Sequence, residues 1–425
     1  MTRIPRRSFL AKLAAAIPAS LAIPGFLAKA APMRKKVRIT NVKVMIVQGT
    51  FDWNMIKIET DSGLSGIGEA YWGRGVKDVV LGYLRDQVVG EDPLDIERLW
   101  TKMMRYTSGA GSQAGVTVSA VSGVEIALWD LAGKILEVPV CKLLGGQYRD
   151  GVRAYWTSQP EDGLNPDSCR EYAAMVKNNP YGITAVKSQA DAYPQQYDPQ
   201  YREPGHEPNS RHLTRKDIAR IARGFANLRE ALGEDIDIAV HCHWNFDWAD
   251  ALELARAVAP IKPMWLEDPI QVEYSPAWTK LTEASPVPIL MGENLYLRQG
   301  FQPFIMNQGC HIIQIDIPKA GGLLEAKKIA DLAALYSIPV CAHNVASPLG
   351  SLASAHAAAA IPDFLAHEVV FGRTLGDRSW EKFALYDGPF IRDGKFRILD
   401  KPGFGVELNE DYVRAHLKPG EEWWG

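Results

Sequence analysis

Six ionisable residues recur at near-equal steps through the middle of this 425-residue chain: His241, Glu267, Glu293, Asp316, His343 and Glu368. The steps between them are 26, 26, 23, 27 and 25 residues. Each closes a short apolar run (IDIAVH, PMWLE, VPILMGE, HIIQID, IPVCAH) that an amphipathic stretch such as 249–259 or 323–336 separates from the next. Carboxylates suit a hard cation, an imidazole suits proton transfer, and an aspartate can orient the imidazole. Singly, each has an ordinary structural explanation: Glu267-Asp268-Pro269 at a helix start, His343 in a core, Asp316 paired with Lys319. Six in register point to one shared site.

About 25 residues is the length of one strand-plus-helix unit. Strand, helix, strand at this spacing means parallel βαβ units from about 152 to 370, and over roughly 200 residues such units close into a barrel. Each polar residue then lies at the C-terminal end of a successive strand, where the ends of a barrel converge on one mouth. His243 follows His241 by two, so strand alternation places both on one face.

Upstream, 37–47, 55–59 and 66–70 read as strands, with a turn at Asp61-Ser62-Gly63. From 76 to about 137 the pattern is helical, clearest at Val121, Val124, Leu128 and Leu131. This portion is an α+β domain. The stretch 190–213 breaks the barrel rhythm with four prolines and with Tyr193, Tyr197 and Tyr201 at four-residue steps; a loop this long is a lid or an oligomer contact. In the tail, Asp393-Gly394 signals a hairpin, Pro402-Gly403-Phe404-Gly405 a further loop.

Composition bounds the rest. With 47% hydrophobic and 23% charged residues the chain has ample core and is neither disordered nor fibrous. A net charge of −3 without a basic stripe excludes nucleic acid as a natural partner. Arg6-Arg7-Ser8-Phe9-Leu10, an apolar stretch from Leu13 to Leu27 and Ala28-Lys29-Ala30 make a twin-arginine export signal with a cleavage site. The expectation is a folded, cofactor-loaded protein delivered to the periplasm, with no membrane segment in its mature form. The five cysteines form no C-x-x-C pair and no disulfide is expected.

The motifs carry a resemblance. WLEDP (265–269), GEN (292–294), QIDIPKAGG (314–322) and AHNVASPLG (342–350) resemble the enolase superfamily, in its mandelate racemase subgroup and nearest to galactonate- and mannonate-type acid-sugar dehydratases. GVEIALWDLAGK (123–134) and LLGG (143–146) are similar to the stretch before the barrel there, and the likeness runs from about 37 to 405. It implies an α/β fold: a modified TIM (β/α)7β barrel with an α+β capping domain completed by the C-terminal tail. The expected divisions are 1–30 signal, 31–150 cap, 151–372 barrel and 373–425 tail packing on the cap.

The resemblance also implies chemistry: metal-assisted removal of the proton α to a carboxylate, giving an enediolate stabilised by Mg²⁺. Carried over, Glu267 and Glu293 are metal ligands, Asp316–His343 is the base dyad, and Glu368 hydrogen-bonds the substrate carboxylate as an acid. The first metal position departs from the family's Asp-x-His: here it is His241-Cys242-His243. A His241/Glu267/Glu293 set also accepts Mn²⁺, Fe²⁺ or Zn²⁺, with Asn245 or a water as an oxygen source. His243 matches the residue that protonates the leaving hydroxyl. On the second strand Lys187, a catalytic residue expected to neutralise the substrate carboxylate, is followed by Gln189 where racemases and cycloisomerases have a second lysine. Gln189 takes no proton, so one base and one acid remain, which is dehydration.

The expected substrate is an aldonic or aldaric acid, the product a 2-keto-3-deoxy acid. Asp52, Trp53 and Asn54 are expected to lean over the mouth, and Gln189, Trp156 and Trp244 to contact the sugar. Two rivals are a sugar-acid cycloisomerase or epimerase, using Lys187 as second base, and a sensor that kept the fold without chemistry. A homo-oligomer is expected, as in relatives.

Overall fold

The computed structural model describes residues 37–111, 113–197, 212–370 and 379–424. The export signal at 1–30, the tip of the 190–213 stretch and the barrel–tail boundary at 372/373 lie outside the described residues.

The cap opens with three antiparallel strands, β1 (Ile39–Gln48), β2 (Asp52–Thr60) and β3 (Ser65–Ala70), in that order. Helix α1 (Ile96–Tyr106) and the 21-residue α2 (Val116–Leu136) pack on them. Helix α2 is long and apolar enough to cross a membrane, but 89% of its most apolar stretch is buried inside the protein. Such a helix is apolar all round because it is packed all round. Its approach to β3 needs glycine: a Cβ at Gly68 would sit 2.5 Å from the Ala127 nitrogen, and one at Gly123 would sit 2.6 Å from the Ala70 Cβ.

Eight parallel strands then close a barrel: β4 (Gly151–Thr157), β5 (Ala185–Gln189), β6 (Asp237–His241), β7 (Leu266–Glu267), β8 (Ile289–Met291), β9 (Ile312–Asp316), β10 (Val340–His343) and β11 (Phe364–Val369). Each pairs with its successor, and β11 returns to β4 through His367↔Ala154 and Glu368↔Tyr155. The first seven strands are each followed by a long helix: α3 (Pro166–Lys177), α4 (Arg215–Leu232), α5 (Trp248–Val258), α6 (Pro276–Ala284), α7 (Leu297–Met306), α8 (Leu323–Ala334) and α9 (Pro348–Ala359). This is the (β/α)7β architecture.

The tail is shared between the two domains. The hairpin of β12 (Ile391–Arg392) and β13 (Lys395–Arg397) turns at Asp393-Gly394, both with left-handed φ, and adds antiparallel to β4 through Phe396↔Val152. Further on, the Gln48 N–H donates to the His416 carbonyl at 2.7 Å and the Lys418 N–H to the Ile46 carbonyl at 2.9 Å, on the edge of β1.

Two buried glutamates of the cap meet the barrel at helix starts. Glu69 accepts from the N–H groups of Ser347 (2.9 Å) and Gly350 (3.1 Å), at the head of α9. Glu125 accepts from those of Leu323 (2.8 Å) and Leu324 (3.0 Å), at the head of α8. An anion at a helix N-terminus meets unpaired N–H groups and the favourable end of the dipole.

Candidate active site

The floor of the barrel holds Tyr155, Ala185, Ala239, Trp265, Leu290, Ile312, Cys341 and Ala366, which pack together inside it. A strand returns to the same face every second residue. Two steps above these residues stand Thr157, Lys187, His241, Glu267, Gln314, His343 and Glu368. Chain alternation alone therefore aims the polar set into the mouth. Asp316 stands two further steps up β9, while Glu293 lies just past the end of β8.

On one side lies a cluster in which His241, Glu267, Asp268 and Glu293 each offer a ligand atom, all within 4.8 Å of one another. His241 Nε2 is 3.8 Å from Glu293 Oε2 and 4.0 Å from Asp268 Oδ2, while its Nδ1 is 3.6 Å from Glu267 Oε1. These residues are buried, and His241 Nε2, Asp268 Oδ2 and Glu293 Oε2 have no hydrogen-bond partner. Burial pushes His241 well below its ordinary pKa and Asp268 and Glu293 well above theirs. Buried polar atoms without partners are costly. A divalent cation satisfies all of them at once, so the residues present fit a metal.

On the other side stands the dyad. His343 Nδ1 is 2.6 Å from Asp316 Oδ2, and the Lys319 N–H donates to Asp316 Oδ1 at 3.0 Å. Burial pushes His343 down to about 3 and Asp316 up to about 7. The imidazole is therefore uncharged at neutral pH; with Nδ1–H given to Asp316, its Nε2 carries a free lone pair. That Nε2 is 3.7 Å from Glu293 Oε2, so the imidazole borders the buried cluster.

The expected strand alternation for His243 does not hold. Strand β6 ends at His241, and His243 (φ 49°) and Trp244 (φ 56°) are both left-handed. The turn nevertheless brings the two imidazoles together, ring centroids 3.7 Å apart. His243 Nδ1 is 2.9 Å from Asp191 Oδ1, a partner that the sequence reading missed. Asn245, expected near the metal, instead donates to Asp191 Oδ2 at 3.2 Å. Asp268 was missed as well, and it adds a third carboxylate to the cluster beside Glu267 and Glu293. Backbone strain of this kind gathers at functional sites.

Lys187 and Glu368 are placed otherwise than expected. The Lys187 ammonium is 2.6 Å from Glu267 Oε1 and 2.9 Å from Glu368 Oε1. Burial pulls it down, but Glu267, Glu368 and Glu293 outweigh this and hold its pKa above the ordinary lysine value. A lysine so held is no base. Glu368 also accepts from Thr157 Oγ1, Tyr155 Oη (3.3 Å) and the Asn344 N–H (3.1 Å), so with Lys187 four donors meet its carboxylate.

Trp156 and the three residues expected over the mouth are held by contacts within the protein. Trp156 is buried and stacks on Tyr172 of α3, because its neighbours Tyr155 and Thr157 take the inward face. Trp53 is buried on Phe383 and donates to the Val345 carbonyl at 3.3 Å, while Asn54 donates to the Tyr71 carbonyl at 3.2 Å. Asp52 is paired with Lys418 at 2.6 Å. Gln189 remains half-buried at the end of β5, and Trp244 lies edge-on to His241. Tyr193 is buried against Phe225 of α4; the Tyr197 side chain and Tyr201 lie outside the described residues.

The domain assignments agree with this geometry. Residues 171–412 match the Enolase C-terminal domain-like family, and residues 34–145 match the Mandelate racemase / muconate lactonizing enzyme N-terminal domain. The chain belongs to the enolase superfamily. This superfamily member is 39% identical to D-xylonate dehydratase of Haloferax volcanii, over 91% of this chain and 90% of that one. It is 31% identical to D-galactonate dehydratase of Pectobacterium atrosepticum, over 87% and 92% respectively. A mandelate racemase/muconate lactonizing enzyme-like protein from Rubrobacter xylanophilus superposes with a TM-score of 0.83 at 33% identity, over 92% of this chain and all of that one.

Proposed function

We propose that this enolase-superfamily chain is a metal-dependent dehydratase of a sugar acid, on the aldonate side, yielding a 2-keto-3-deoxy acid. The observation that carries the reading is the pair of carboxylate-backed imidazoles flanking the buried cluster, Asp316–His343 and Asp191–His243. Relatives named for xylonate and galactonate support the substrate class.

His241, Glu267, Asp268 and Glu293 are the residues available to a divalent cation, Mg²⁺ or, given the histidine, Mn²⁺ or another of the first row. Such a cation, when bound, supplies the positive charge that makes the proton α to a carboxylate removable. His343 Nε2 takes that proton, and Asp316 holds the ring in the required tautomer. The electron pair of the broken C–H bond passes first into the substrate carboxylate and, in a second step, forms the new C=C bond as the neighbouring C–O bond breaks. His243, oriented by Asp191, protonates the departing hydroxide to water, and the enol left behind tautomerises to the 2-keto-3-deoxy acid. A cycloisomerase or epimerase would use Lys187 as second base, and its two carboxylate partners argue against that. A sensor has no use for two oriented imidazoles. We also propose export by the twin-arginine route, on the strength of residues 6–30.

The test is to incubate the protein, loaded in turn with Mg²⁺, Mn²⁺ and Zn²⁺, with a panel of aldonic and aldaric acids and assay 2-keto-3-deoxy product. Product that disappears in His343→Ala supports the proposal. No product from any acid overturns it.

A further inference from the structure

We propose that Lys319 is a substrate-binding residue, its ammonium receiving an anionic oxygen of the sugar acid on the cap side of the mouth. The assignment rests on the sugar-acid reading above and adds a residue to it.

The burial of this lysine is the anomaly. Lys319 is 2% exposed, and a lysine is almost never buried so fully without an anion beside it. Lys187, as deeply buried, has carboxylate oxygens at 2.6 and 2.9 Å. The Lys319 ammonium forms no ion pair among the described residues. Its three-residue step from Asp316 suggested one, and the turn delivers only a backbone contact: the Lys319 N–H donates to Asp316 Oδ1 at 3.0 Å, while the ammonium donates to Asn294 Oδ1. Against it lies the ring of Tyr71 from the cap, its centroid 4.0 Å from Nζ. The Tyr71 N–H donates to the Pro318 carbonyl at 3.4 Å, so the cap grips the same turn.

An ammonium carries three N–H donors and no acceptor. One goes to Asn294 and one can face the Tyr71 ring; among the described residues no hydrogen bond takes the third. An aromatic face attracts a cation but leaves its charge uncompensated. A buried charge without a counter-charge is costly. Burial accordingly lowers the pKa of Lys319 in spite of Asp316, Glu293 and Asp268 nearby, the reverse of its effect at Lys187. An anion that arrives with the ligand removes that cost.

The position suits such a ligand. Asn294 follows Glu293, whose Oε2 is 3.7 Å from His343 Nε2. The ammonium is thus tethered beside the last carboxylate of the cluster, on the turn that leaves the dyad's aspartate. A neutral sugar brings no charge to it. A sugar acid does, first as the carboxylate and then as the more highly charged oxygen pair left when the α-proton goes.

The experiment uses the full chain loaded with Mn²⁺, in a His343→Asn background that binds without turnover. Affinity for D-xylonate and D-galactonate is read by titration calorimetry, Mn²⁺ affinity by the paramagnetic resonance of the free ion, and stability by the urea midpoint of the ligand-free protein. Adding Lys319→Met should weaken binding of the better acid by at least about tenfold, the size of one hydrogen bond to a charged group. Mn²⁺ affinity should not fall, and the urea midpoint should hold or rise, because an uncompensated buried charge has been replaced by an apolar chain of similar shape. Unchanged affinity for the acid overturns the proposal. So does a fall in acid affinity, Mn²⁺ affinity and midpoint together, which marks a merely structural lysine. A parent protein that binds Mn²⁺ but neither acid overturns the sugar-acid reading along with it. Should Lys319→Met not fold, wild-type crystals soaked with D-xylonate decide: an acid oxygen within hydrogen-bond distance of Nζ supports the proposal, and a bound acid that leaves Nζ to Asn294 and Tyr71 alone overturns it.

Discussion

His243 and Asp191 meet at 2.9 Å across 52 residues of chain, the imidazole just past β6 and the carboxylate just past β5. The contact fixes the ring and leaves its Nε2 to act. In the proposed mechanism, proton removal and hydroxide loss depend on different histidines. In D₂O, His243→Asn should still exchange the substrate α-proton, followed by NMR, while formation of keto acid falls by a factor of about 10²–10⁴. Asp191→Asn should fall between this variant and wild type. Loss of exchange in His243→Asn would mean that the two steps are not divided as described.

His343→Asn should lose both reactions, exchange and elimination, by about 10²–10⁴ or more. Its fold and metal content, checked by circular dichroism and metal analysis, should be unchanged. A variant keeping a tenth of the activity would place the base elsewhere.

Lys187 holds two buried carboxylates, so its loss should be felt in stability. Lys187→Met leaves Glu267 and Glu368 without their cation. Breaking one side of a buried ion pair costs about 3–5 kcal/mol. The urea midpoint of the variant should drop accordingly; an unchanged midpoint would mean the charges are compensated in another way.

Glu125 gives a pH signature. Burial raises its pKa from 4.5 to about 7 despite three hydrogen bonds to its carboxylate. The folded state therefore binds a proton more tightly than the unfolded one. Stability from this group is complete below about pH 4.5 and is lost as pH rises through 7, at about 1.4 kcal/mol per unit, roughly 3 kcal/mol in all. Measured in urea at several pH values, the stability of wild type relative to Glu125→Gln should decline from pH 5 to 7 and level off above 8. A pH-independent difference would show that Glu125 is ionised throughout.

Much of this was legible because alternation and repeat length are simple rules. Apolar runs ending in polar residues every 23–27 positions gave a closed barrel, and a period of two aims Lys187, His241, Glu267, His343 and Glu368 inward. The same parity, applied to β4, would have turned Trp156 outward. Asp268 escaped because it has the wrong parity, and only a left-handed backbone restores it. Asp191 escaped because it lies beyond the strand, where the chain looks like loop. Lys187 and Glu368 were located but not their partners, since pairing across a barrel depends on side-chain reach rather than spacing.

The two glutamates of the cap bear on the order in which this molecule is put together. The metal-side residues all come from 241–293, a short run of consecutive strands. The helices that follow the base dyad are closed by Glu69 and Glu125, which lie 278 and 198 residues before their partners Ser347 and Leu323. Contacts of such long range form late, after the local ones that make them affordable in entropy. The cap leaves the ribosome first, yet its carboxylates have nothing to grip until residues 323–350 follow. Of the two halves of the mouth, the one whose residues could hold an ion is assembled from neighbours, and the one built on Asp316 and His343 is finished only when Glu69 and Glu125 have met residues 323–350.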